Sequence, residues 1–198
     1  MITKKALEDL YTKKGFSAAQ IAKKFSCGTS TVNYYLQKYS IQKRSIADAI
    51  FTFKNPNGDP FVFKQPQTLK QWFLYGIGIG LYWGEGTKRS NHSVRLGNTD
   101  PELIKKFILF LEHIYSVKRE KLRFGLQLFT DISEKEAKDF WIRHLKVSKS
   151  QFYKTTVTVS NKKGTYTNKV TYGVLTVFMN NKKLRDHLMS SLEKLRKT

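Results

Sequence analysis

The feature that most constrains what this chain can fold into is a glycine-rich apolar segment, QWFLYGIGIGLYWGEGT, at residues 71–87. Each glycine placed in a helix interior costs about 1 kcal/mol relative to alanine, so Gly76, Gly78, Gly80 and Gly84 in one segment need a compensating reason. Spacing supplies it. Gly76, Gly80 and Gly84 recur every four residues and line one helix face, a smooth stripe against which a second backbone can pack closely. The apolar run from Trp72 to Trp83 falls short of the roughly 20 residues that span a bilayer, so the expected partner of the stripe is protein. Two such helices packed face to face would bring together two copies of Glu85, the single carboxylate of the segment.

Charge sets the next bound. The 198 residues carry 36 Lys and Arg against 15 Asp and Glu, a net charge of +21 with an isoelectric point near 10.0. An excess of this size repels itself within a folded chain and points to a polyanionic partner, nucleic acid before an anionic membrane surface. The length allows one or two domains, and a 40% hydrophobic content supports packed cores rather than disorder. Residue 1 opens a charged amphipathic segment with no secretory signal, which places the expected location in the cytoplasm or an organellar matrix. One cysteine, Cys27, excludes an internal disulfide, and four scattered histidines argue against a structural zinc site.

Three helices are predicted in the first fifty residues. Ala6, Leu7, Leu10 and Tyr11 fall at helical spacing before Gly15; Ser17-Ala-Ala-Gln20 is a capping box that opens a second helix; Ser26-Cys27-Gly28 forms the turn to a third, from about residue 30 to 39. Val32, Tyr35, Leu36 and Tyr39 point inward on that last helix, leaving Thr29, Ser30, Thr31, Asn33, Tyr34, Gln37 and Lys38 outward. Helix, glycine-containing turn and helix is the arrangement that lays a recognition helix in the major groove. Residues 3–45 resemble homeodomain-like helix-turn-helix modules, in which a trailing basic residue, here Arg44, contacts a phosphate or the minor groove. A protein-interaction bundle is the alternative; nine basic against three acidic residues over the first fifty weigh against it.

Residues 49–68 read as a linker, with Pro56, Pro60, Pro66 and the Asn57-Gly58 pair suggesting a hairpin flanked by Phe51, Phe53, Phe61 and Phe63. Those phenylalanines favour docking on a neighbouring core over stacking on bases. Beyond residue 85 the order is strand (93–97), helix capped by Asp100, strand (121–130), helix capped by Ser133, two strands (154–160 and 170–179) joined across residues 161–164, and a final helix (184–195). In the second strand Leu122, Phe124, Leu126 and Leu128 share one face, and Lys121, Arg123, Gly125 and Gln127 the other. The expected sheet thus buries one face under helices and opens another carrying Arg95, Arg123, Gln127, Lys154, Thr156 and Thr158, with Lys162 and Lys163 at its rim. Such side chains can read base edges in the major groove, arginine toward guanine and glutamine toward adenine; an ordinary solvated face is the alternative.

Gly78-Ile-Gly-Leu-Tyr-Trp-Gly-Glu-Gly86 resembles the nine-residue LAGLIDADG motif of homing endonucleases, with Gly80-Leu81 at its centre and Gly84-Glu85-Gly86 at its acidic end. It departs from the family at Trp83, where a second acid is common, and the stretch between Gly86 and Asp100 has room for one strand where the family has two. The order of elements extends the resemblance over residues 69–195. The resemblance implies an α+β chain: a three-helix helix-turn-helix (residues 1–48), the linker (49–68) and a LAGLIDADG-like domain (69–198) with a DNA-facing antiparallel sheet. It also implies a homodimer through Gly76, Gly80 and Gly84 on double-stranded DNA, with Mg2+ or another divalent cation held by Glu85 and the Gly84 carbonyl. The polar groups that assist the reaction in that family have candidates here, by residue type, in Lys88, Gln127 and Lys169. The functions implied are a sequence-specific DNA endonuclease or, in the alternative, a regulator that keeps the fold without cleavage; an RNA-binding splicing helper of the same fold is a third.

Overall fold

The computed structural model describes residues 2–55, 58–159 and 171–197. The chain divides into two compact units, Met1–Asp59 and Pro60–Thr198.

In the first unit, α1 (Lys4–Leu7) runs on as a π-helical segment (Glu8–Lys13), followed by α2 (Ala18–Lys24), α3 (Thr29–Lys38) and α4 (Ile46–Lys54). The predicted capping box forms: the Ser17 hydroxyl accepts from the Gln20 amide and the Gln20 side chain accepts from the Ser17 amide. Leu7, Leu10, Ile21, Val32 and Leu36 meet in a small core with Tyr35 and Tyr39 packed at its edge. In the turn between α2 and α3 the left-handed residue is Ser26, not Gly28. Gly15 has a different task. Its φ of +71° suits glycine, and a Cβ there would lie 2.6 Å from the Thr52 methyl of α4.

Helix α4 replaces the first arm of the expected hairpin. Ser45 accepts from the Asp48 amide at 3.1 Å and donates to the Asp48 carboxylate at 2.6 Å, a Ser-x-x-Asp start signal that outweighs the alternating phenylalanines. Phe51 and Phe53 are therefore helical. Phe61 and Phe63 lie on an extended segment of the second unit, where Val62 and Lys64 amides donate to the Tyr115 and Ile114 carbonyls at 2.9 and 2.7 Å. Both rings pack on that unit's core, as expected of docked aromatics.

The second unit comprises α5 (Leu69–Glu85), β1 (Val94–Asn98), α6 (Pro101–Tyr115), β2 (Arg123–Phe129), α7 (Glu134–Leu145), β3 (Thr156–Thr158), β4 (Val174–Met179) and α8 (Lys182–Arg196). It is an α+β arrangement in which a four-stranded sheet, ordered β1-β4-β2-β3, is covered on one face by helices. The sheet is mixed, a correction to the antiparallel sheet expected. β4 runs antiparallel to both β1 and β2, but β3 lies parallel to β2. The reason is the connection: α7 crosses between β2 and β3, and a crossover helix returns the chain in the same direction. Among the described residues β3 and β4 are not neighbours, and the expected pair joined across 161–164 is not formed by them. That connection, with Lys162, Lys163 and Lys169, lies outside the described residues.

Leu96, Phe124, Leu126, Leu128, Leu175 and Val177 bury the covered face against α5, α6, α7 and α8. Asp100 caps α6 by accepting from the Glu102 and Leu103 amides, with Pro101 in the first turn. The Arg119 guanidinium forks onto the Glu112 carboxylate and donates to the Leu145 carbonyl at 2.8 Å, tying the end of α6 to the end of α7. No helix among the described residues is long and apolar enough to cross a membrane.

Candidate functional site

Helix α5 starts at a second capping box, Thr68 with Gln71, and presents two different faces. Inward, Ile79 and Tyr82 are buried and the Tyr82 ring stacks on Phe107 of α6 at 6.2 Å. Gly78 belongs to this face: a Cβ added to it would lie 2.0 Å from Cγ of Phe110, so glycine here lets α5 and α6 approach. Outward, a Cβ added at Gly76, Gly80 or Gly84 would meet nothing within 4 Å. Leu69, 89% exposed, and Phe73, 70% exposed, continue the same face toward the helix start, and half-exposed Trp83 borders its end. No described residue packs on the three-glycine stripe.

Glu85 is the last residue of α5 and is exposed. Its carboxylate makes no hydrogen bond or ion pair with the described residues, although it stands at the negative end of the helix dipole, an unfavourable place for an anion. Lys88, expected as an assisting group, turns instead to the Trp83 carbonyl, a cationic cap on the end of α5. The Lys88 carbonyl in turn accepts from Arg185 of α8 at 3.1 Å. Burial raises the Tyr82 hydroxyl above the ordinary tyrosine range, an effect opposed by the Arg185 charge, and the hydroxyl has no partner.

Past Glu85 the chain makes only a rudiment of a first strand. Gly86 bridges Leu96 and the Thr87 amide donates to the Arg95 carbonyl at 2.9 Å, which agrees with the single-strand room read from the sequence. Strand register then lays out the open face in rows. Arg95, Phe178 and Arg123 form one; Gly97, Thr176 and Gly125 the next; Val174, Gln127 and Thr156 the third, with Phe129 beside Thr158 beyond. Arg95, Gln127, Thr156 and Thr158 are exposed and Arg123 half-buried, with its guanidinium donating to the Glu120 and Leu122 carbonyls. Lys154 is exposed just ahead of β3. The fold therefore gathers these polar residues along the open face and leaves Lys88 turned back on α5.

Phe178 and Tyr153 belong to this face and were not among the expected site residues. Alternation in β4 carried the signal: Leu175, Val177 and Met179 point to the core, so Val174, Thr176 and Phe178 must point away.

On α3, Ser30, Thr31, Tyr34 and Gln37 are exposed and Asn33 is half-buried. The Lys38 ammonium lies 5.9 Å from the centroids of both Tyr34 and Tyr35. Arg44, expected at a phosphate or the minor groove, makes contacts within its own module. Its guanidinium lies over the Tyr11 ring at 4.2 Å and donates to the Gly15 and Phe16 carbonyls, which joins the chain after α3 to the end of the π-helical segment. With those donors engaged, Arg44 serves the fold of the module.

The chain matches no family model, no curated protein and no solved structure.

As a metal site the donor set has the right chemistry and half the number. Magnesium prefers oxygen ligands, and the Glu85 carboxylate and Gly84 carbonyl are oxygen donors with no hydrogen bond to the described residues. Among those residues no three His, Cys, Asp or Glu side chains gather within one chain. A second Glu85 and Gly84 pair, with phosphate oxygens, would complete the shell.

Proposed function

We propose that the protein is a sequence-specific DNA-binding homodimer that hydrolyses phosphodiester bonds with a pair of Glu85 carboxylates. The observation that carries this reading is the outward face of α5: three glycines that meet nothing among the described residues, flanked by exposed apolar side chains and ending at a carboxylate without a partner among those residues. Isologous packing of that face on its own copy, with the two helices running parallel, would cover the apolar residues and set the two carboxylates side by side. Two like charges at helix C-termini repel, and that repulsion favours a divalent cation between them.

In this reading Glu85 and the Gly84 carbonyl hold the cation, and the packing distance of the two α5 backbones sets the separation of the carboxylates. A cation bound there acts as a Lewis acid and lowers the pKa of coordinated water. Hydrolysis adds water to phosphorus and breaks the bond to one ester oxygen, which leaves with a proton. Gln127 on the open face is the described polar group available to orient water or phosphate. Specificity comes from Ser30, Thr31, Asn33, Tyr34 and Gln37 on α3, and the +21 charge supplies affinity for the backbone.

A regulator without cleavage is the second reading, favoured by the engagement of Lys88 with Trp83 and by the rudimentary strand after Glu85. Incubation of wild type and Glu85→Gln with a library of duplex sites, in magnesium and in EDTA, separates the two. The nuclease reading expects magnesium-dependent cleavage by wild type, none by Glu85→Gln, and duplex binding by both. Binding without cleavage by wild type would favour the regulator.

A further inference from the structure

The open sheet face carries an aromatic ring where base-edge reading needs none. Phe178 projects from β4, the strand flanked by β1 and β2, between Arg95 and Arg123. The Arg95 guanidinium carbon lies 5.3 Å from the centroid of the ring, and Tyr153, 43% exposed, meets it edge-on at 5.4 Å. Arg95 is held in place through its Nε, which donates to the Ser93 hydroxyl at 2.7 Å. Its two terminal amino groups make no hydrogen bond to the described residues. Asn180 donates to the Tyr153 hydroxyl at 3.1 Å and fixes that ring from the far side.

The next row carries a glycine on each side of Thr176. Glycine inside a strand weakens it and marks close approach of a ring, a ligand or a backbone. Gly125 has such a reason: a Cβ there would lie 3.0 Å from Cε2 of Phe178, so the ring leans over the glycine. At Gly97 a Cβ would lie 2.9 Å from the Thr176 hydroxyl. Only Thr176 projects from the row beside the Arg95–Phe178 pair.

In a duplex the base faces are hidden in the stack, and a phenyl ring can touch little beyond a thymine methyl. An unpaired base offers its π-face, which aromatic and guanidinium planes take up while neighbouring cations bind the phosphates on either side. We propose that the Arg95–Phe178–Tyr153 platform binds an unpaired base of a DNA strand. This rests on the reading that the open sheet faces DNA, and it differs in the ligand: α3 takes duplex, whereas the sheet takes a strand whose base has left the stack. Charge complementarity supports the choice of occupant, since the platform joins Arg95, whose terminal amino groups make no hydrogen bond to the described residues, to an apolar ring in a chain of net charge +21.

The test uses the full chain and a thymidine oligonucleotide of about 12 residues with one central 2-aminopurine, whose emission is quenched by stacking, at about 0.15 M salt to screen nonspecific attraction. Wild type is expected to quench the probe. Phe178→Leu, which keeps an apolar strand residue, should bind the strand about tenfold more weakly without quenching, and Phe178→Tyr should restore both. Duplex affinity should be the same in all three and should fall in Asn33→Ala. Equal quenching by wild type and Phe178→Leu, or none by wild type at saturation, would overturn the platform. Tighter binding of the matching ribo-oligonucleotide would overturn its assignment to DNA. Loss of the duplex arm alone would instead strike the role of α3.

Discussion

The two faces of α5 put glycine to opposite uses. Gly78 looks inward and is filled at once by the Phe110 ring; Gly76, Gly80 and Gly84 look outward and meet nothing within 4 Å. The inner glycine is explained inside the protomer, by the close crossing of α5 and α6. The outer three cost the helix about 1 kcal/mol each relative to alanine and pack on nothing among the described residues. The inner glycine thus has its reason within the chain, and the proposed function gives the outer three theirs, a smooth face on which two backbones can meet.

The largest expected effect breaks the inner face. In Gly78→Ala the new methyl would lie 2.0 Å from Cγ of Phe110, so either the ring and α6 shift or the helices part. Overpacking of this kind costs on the order of 1–3 kcal/mol. Thermal unfolding should show a clear loss of stability relative to wild type at every protein concentration. Unchanged stability would mean that α5 and α6 are packed less closely than described.

On the outer face the same substitution changes sign with context. In a free helix Gly80→Ala would stabilise by about 1 kcal/mol; at an interface the added methyl separates the backbones. The account expects a lower melting temperature for Gly80→Ala in concentrated solution, where dimer predominates. A higher melting temperature at every concentration would make the stripe a solvent-facing surface.

A smaller effect probes the core behind the inner face. His187 of α8 lies 3.0 Å from the Tyr115 hydroxyl through Nδ1 and against Phe63, which itself contacts Tyr75 of α5. Burial holds its imidazole below the ordinary histidine range, with the Lys194 charge adding to the shift. The folded unit therefore favours the neutral ring. That contribution is complete above the unfolded value near pH 6.5 and is lost as pH falls from there through the folded value. Melting temperature should decline between neutral and mildly acid pH, and His187→Gln should flatten the decline. An equal slope in both proteins would remove His187 from the explanation.

Much of this arrangement was legible because its cause is local. The caps at Ser17, Thr68-Gln71, Asp100 and Ser133 lie within a few residues of the amides they serve, and alternation along β2 sorts Leu126 from Gln127 without knowledge of neighbours. The i, i+4 spacing placed Gly76, Gly80 and Gly84 on one face, but the role of Gly78 depends on Phe110, which is remote in sequence. Arg44 read as a surface cation because nothing nearby reveals the Gly15 and Phe16 carbonyls it serves. Ser45-x-x-Asp48 was a readable start for α4 that the alternating Phe51 and Phe53 obscured. Strand order was the least legible element. β3 and β4 adjoin in sequence, yet pairing across β2 is decided by the crossover of α7 and by the burial of Leu175 and Val177.

Mass in solution tests the central claim most directly. Light scattering on wild type and Gly80→Leu, at matched micromolar concentrations and with or without duplex DNA, asks whether the outer stripe joins two chains. The account predicts that wild type weighs twice the 23.1 kDa of one chain and that Gly80→Leu weighs one, with the same helix and sheet content by circular dichroism. A monomeric wild type in both conditions, or an undisturbed dimer in Gly80→Leu, would contradict it.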